Sequence, residues 1–100
     1  MNLNDISIID TKFTSTYLSC LFKFKDVEYY ADYRYTMDHG NEMMIFATTE
    51  YCESLDEAIT GNHIDWSDLY SCQESLSLGE FMECIVDFCI DLDEEEKEVH

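Results

Sequence analysis

This 100-residue chain contains no proline, and its only glycines are Gly40, Gly61 and Gly79. That excludes a proline- or glycine-rich linker and a glycine-rich phosphate loop, and no repeats appear. Basic residues are also scarce. Five Lys and Arg stand against 23 Asp and Glu, a formal net charge of −18. Direct binding to nucleic acid or to an anionic lipid surface is thereby disfavoured, because both demand a cationic surface. The longest uncharged run, residues 13–22, falls well short of the roughly 20 apolar residues that span a bilayer. Met1-Asn2-Leu3-Asn4-Asp5 lacks the basic start of an export leader, so the expected location is cytoplasmic and no membrane partner is expected.

Cysteine is present but unpaired in number. Cys20, Cys52, Cys72, Cys84 and Cys89 include no C-x-x-C pair. In a cytosol such residues are expected as reduced thiols, mostly small core residues. Together with His39 and His63 they reproduce no finger-like ligand spacing, so no metal or cofactor is expected. Cys52 or Cys72 with either histidine is formally a nucleophile and base, but no motif surrounds them. No catalytic residue is assigned, and the protein is expected not to be an enzyme.

What the chain does have is apolar content: 46% of its residues are hydrophobic, and aromatics alone make up 14% of the chain. That is enough for one modest core in a single acidic domain spanning 1–100, with the last few residues expected to fray. The first half alternates with period two, as half-buried strands do. Leu18, Cys20, Phe22 and Phe24 share one face, and so do Val27, Tyr29, Ala31, Tyr33 and Tyr35. A two-residue turn at Lys25-Asp26 would set Phe24 opposite Val27, Phe22 opposite Tyr29, and Lys23 opposite Glu28 as an ion pair. A second turn at 38–41 would set Met44 opposite Tyr35 and Phe46 opposite Tyr33. Residues 6–12 supply an edge strand. The remaining face would then carry Leu21, Tyr30, Met43 and Ile45.

The second half changes period. Ser54 and Glu57 have capping-box spacing ahead of a short helix at Leu55–Thr60, with a stop at Gly61-Asn62. Residues 63–75 fit a short helix begun at Asp65 or a loop that plugs the core. Ser77 and Glu80 repeat the capping box and open a final helix with an apolar stripe of Leu78, Phe81, Met82, Ile85, Phe88, Cys89 and Leu92. The expected fold is α+β: an antiparallel meander of about four strands followed by two or three helices packed on one face. Its expected core is Leu18, Phe22, Tyr29, Tyr33, Phe46, Phe81, Ile85 and Phe88.

The acids are unevenly placed. Between Arg34 and Lys97 lie 62 residues with 17 acids and no Lys or Arg. Calcium is a poor explanation: Asp91, Asp93 and Glu95 alternate as in an EF-hand loop, but Glu96 occupies its glycine position. On the final helix Glu80, Glu83, Asp87, Asp91 and Glu94 fall on one side, and Glu83, Asp87, Asp91 and Glu95 form an i, i+4 ladder of like charge. Such a ladder destabilises an isolated helix. Over the roughly 21 Å from Glu80 to Glu94 the carboxylates recur about every 5 Å, near the phosphate spacing of about 3.4 Å along a DNA strand. With these acids we group Asp56, Glu57, Asp65 and Asp68 as partner-binding candidates.

A small acidic chain with a meander and acidic helices resembles the DNA-mimic inhibitors of phages and mobile elements. These include anti-restriction proteins, uracil-DNA glycosylase inhibitors and anti-CRISPR proteins. Met1-Asn2-Leu3-Asn4-Asp5-Ile6 resembles the start of one small acidic type II anti-CRISPR family. The resemblance implies a stoichiometric, cofactor-free inhibitor that presents a DNA-like surface to a basic nucleic-acid-binding protein, such as a CRISPR effector or restriction enzyme. For a phage-encoded protein the location would be the host-cell cytoplasm. The competing expectation is an acidic immunity or adaptor protein for a basic partner, anchored by aromatics on the second sheet face, which is also where a homodimer would form.

Overall fold

The computed structural model describes residues 5–38 and 40–98, with backbone alone at 96–98. Met1 to Asn4, His39 and the chain end expected to fray lie outside the described residues. Alternating segments form β1 (Ile6–Phe13), β2 (Tyr17–Phe24), β3 (Val27–Thr36) and β4 (Gly40–Thr48), and β5 (Ile64–Cys72) follows the short helix α1 (Leu55–Thr60). The five strands make one antiparallel sheet in chain order. The long helix α2 (Leu78–Glu98) closes the chain.

The β2–β3 hairpin has the expected register, with Phe24 opposite Val27, Phe22 opposite Tyr29 and Lys23 opposite Glu28. Its two-residue turn carries positive φ at both Lys25 (49°) and Asp26 (67°), the signs of a type I′ turn, which twists as the strands do. The Lys23 and Glu28 side chains have other partners. Glu28, only 3% exposed, accepts the Cys52 N–H at 2.8 Å and the Thr48 hydroxyl at 3.3 Å, while the Lys23 ammonium lies 4.9 Å from the Tyr51 ring centre.

Three expectations are corrected. The sheet has five strands, not about four, and the fold is mostly β with two helices. Residues 64–72 form an edge strand rather than a helix or plug. Finally, the helices do not follow the sheet and pack on one face; they lie on opposite faces, over separate cores. Cys20, Phe22, Tyr29, Ala31, Met43 and Ile45 pack under α2 against Phe81, Ile85 and Phe88. Leu21, Tyr30 and Phe46 pack with Cys52, Leu55, Ala58 and Ile64 on the α1 side.

Register explains the exchange. Thr36 pairs with Gly40, which takes φ 69°, and Tyr33 pairs with Met43 rather than Phe46. The offset from the expected pairing is three residues, an odd number, so every side chain of β4 changes face. Met43 and Ile45 thus join the α2 core, and Phe46 leaves it. Strand β5 carries a bulge. Ile45 pairs with Tyr70 and Ala47 with Asp65, so two steps on β4 answer five on β5. The odd surplus turns Ile64 and Trp66 toward the α1 side and Tyr70 and Cys72 toward α2.

Aromatic contacts fix α2. Phe88 meets Tyr29 edge-on at 5.2 Å and Phe22 at 6.4 Å, and Phe81 meets Phe13 at 6.4 Å. Leu78, expected in the stripe, is 45% exposed. Asp93 faces the sheet, only 6% exposed, and pairs with Lys25 of the β2–β3 turn.

Candidate acidic interface

Helix α2 begins with a reciprocal cap. The Glu80 N–H donates to the Ser77 hydroxyl at 3.2 Å, and the Ser77 N–H donates to the Glu80 carboxylate at 3.0 Å. These bonds, the backbone one first, hold the Glu80 carboxyl below its usual range, so the cap works as an anion. Beyond it Glu83, Asp87, Asp91, Glu94 and Glu95 are all exposed, while Phe81, Ile85, Phe88 and Cys89 are buried. The amphipathic split turns these acids away from the core. The side chains of Glu96, Lys97 and Glu98 lie outside the described residues.

The ten predicted positions do not form one patch. Six lie on α2. Asp56 and Glu57 lie in the first turn of α1, across the sheet, where Ser54 caps the helix and the Glu57 carboxylate accepts the Glu53 N–H at 2.8 Å. Asp65 and Asp68 sit on the exposed, bulged part of β5, and Asp65 accepts the Ser67 N–H at 3.2 Å. The basic side chains that are described each have a local contact: Lys12 and Arg34 flank the Tyr17 ring, Lys23 lies over Tyr51, and Lys25 pairs with Asp93.

A second site, outside the predicted positions, lies on the α1 side of the sheet. Its centre is Asp32. One carboxylate oxygen accepts the Tyr30 hydroxyl at 2.9 Å, the Ser19 hydroxyl at 3.2 Å and an Arg34 terminal nitrogen at 2.6 Å; the other accepts Arg34 Nε at 2.7 Å. This bidentate clasp raises the Arg34 pKa further. Burial, with Asp32 second, pushes the Tyr30 phenol up to about 12. Beside the cluster Trp66 stands edge-on to Phe46 at 5.1 Å and to Tyr30 at 6.4 Å, and a groove of about 310 Å³ opens between them. Ile64 and Trp66, two residues apart, are the one sequence signal for this wall, and the bulge after them hides it.

Chemistry at the cysteines is muted. Burial pushes the Cys20 thiol up to about 12 and Cys89 to about 11, and it raises Cys52 and Cys84 as well. A thiol so placed is a poor nucleophile. Among the described residues no three His, Cys, Asp or Glu side chains are positioned to share a metal, and His39 lies outside them. No helix among the described residues is long and apolar enough to cross a membrane. Compared with protein-family models, curated proteins and solved structures, the chain matches none.

Proposed function

We propose that this protein is a non-enzymatic inhibitor that offers the acidic face of α2 to a nucleic-acid-binding protein, such as a CRISPR effector or restriction enzyme, in place of nucleic acid. The observation that carries it is the row of exposed carboxylates Glu83, Asp87, Asp91, Glu94 and Glu95 on a helix anchored by its opposite side. A rigid helix fixes their spacing, at about 1.5 Å rise per residue, so a surface shaped for a phosphate backbone meets charge at comparable intervals. The like-charge ladder supports use, since it lowers helix stability at each rung. Asp56 and Glu57 lie across the sheet and are outside this surface.

The test is inhibition of DNA cleavage by such an enzyme, with equimolar protein, at 50 and 200 mM salt. Inhibition should weaken as salt rises and be competed by the enzyme's own DNA. Exchanging Glu83, Asp87 and Asp91 for Lys should abolish it while leaving the apolar side of α2 intact. Close charge pairs across an interface are each worth about 1.5–7 kcal/mol, so the expected loss of affinity exceeds a hundredfold. Salt-insensitive inhibition, or DNA and this protein bound together on the enzyme, rules the mimic out.

A further inference from the structure

On the face of the sheet opposite α2, the groove beside Trp66 has the components of a receptor for a single cationic side chain. Trp66 is 59% exposed, although its ring lies against Phe46 and Tyr30. An exposed tryptophan standing on a buried aromatic pair has a fixed position and an open face. At the rim, Glu42 pairs across the strands with Arg34. Arg34 is itself clasped in two places by Asp32, so its charge is answered locally. Among the described residues Glu42 accepts only a long contact from Gln73, at 3.4 Å. The groove therefore holds one carboxylate with spare acceptor capacity, next to an aromatic face.

We infer that this groove docks an arginine side chain of a basic partner protein, its guanidinium stacked on Trp66 and forked onto Glu42. Arginine fits better than lysine, because its planar fork matches a carboxylate and stacks on aromatic rings. Tryptophan is the best aromatic acceptor for a cation. Charge complementarity decides the occupant: a second copy of this chain would bring eighteen more negative charges to a protein already at −18, whereas a basic partner is drawn in. The groove lies across the sheet from the acidic row on α2, and at physiological salt exposed charges more than about 8 Å apart are largely screened from one another.

Trp66 is the only tryptophan in the chain, so its fluorescence reports the groove directly. Titration with a capped tetra-arginine peptide at 150 mM salt should give a saturable change in that signal. Tetra-lysine should bind more weakly and tetra-glutamate not at all. Glu42→Gln should weaken tetra-arginine binding roughly tenfold, the size expected for a hydrogen bond to a charged group. By calorimetry Trp66→Phe should cost roughly two- to fivefold. Replacing Glu83, Asp87 and Asp91 together by Gln should leave the fluorescence-reported affinity within about twofold, given that screening. The inference is overturned if tryptophan stays silent, if the α2 variant loses as much as Glu42→Gln, or if the signal follows protein concentration through dimer formation.

Discussion

Three enclosed groups, Cys20, Tyr30 and Cys89, help to set how the protein meets alkali. Each is enclosed in a core that favours its neutral form: Cys20 and Cys89 under α2, Tyr30 on the α1 side. Their pKa values are raised from 9.0 to about 12 for Cys20, from 10.0 to about 12 for Tyr30 and from 9.0 to about 11 for Cys89. A raised value contributes stability that is complete below the unfolded pKa and is lost as pH climbs toward the folded one. Urea midpoints should thus be level up to pH 9 and fall between pH 9 and 12. A midpoint that holds constant to pH 11 would show that these side chains reach water. The same enclosure predicts little alkylation of Cys20 and Cys89 in the folded protein at pH 8.

At the level of elements, α2 is held by a small number of large contacts. Ile85 lies 1% exposed among the sheet aromatics. Ile85→Ala should cost about 2–5 kcal/mol through the cavity it leaves, read as a lower denaturant midpoint with unchanged slope. A loss under about 0.5 kcal/mol would mean that α2 is not docked as described. Both helices were legible in the sequence because their caps are local: Ser54 with Glu57, and Ser77 with Glu80, sit one turn apart. The β2–β3 register was legible because a two-residue turn leaves no freedom. What failed was parity. The loop to Gly40 is longer than the minimal turn, and one odd offset moved Met43, Ile45 and Phe46 to faces opposite those expected. In β5 the apolar residues Ile64, Trp66, Tyr70 and Cys72 keep even spacing, yet the bulge divides them between two faces. No periodicity analysis sees an odd bulge. The exposed acids of α2 follow from the helical wheel, whereas the Asp32 cluster joins Tyr30 and Arg34 of its own strand to Ser19 across the β2–β3 pair, and nothing in the charge count singles it out.

The whole molecule carries its charge against its own stability. Exposed like charges crowd α2, and unfolding lets them separate, so added salt should stabilise the fold. The three rungs joining Glu83, Asp87, Asp91 and Glu95 are each worth about 0.2–0.5 kcal/mol. Between 50 and 500 mM salt the gain should be about 0.5–1.5 kcal/mol, measured by thermal or urea unfolding with a neutral-salt series. Association through the acidic face has the opposite slope, and the two slopes together separate a binding surface from mere crowding. A fall in stability over this range would show that the acids are held by favourable local fields instead. The bulged strand β5 bears on the same scale. Its first residues, Ile64 and Trp66, belong to one layer and its last, Tyr70 and Cys72, to the other. β2, β3 and β4 also send alternate residues to both cores, so neither layer can open without pulling on the other. Amide hydrogens of β3 and β4 should exchange through one shared, global opening rather than by two independent layer-wise events.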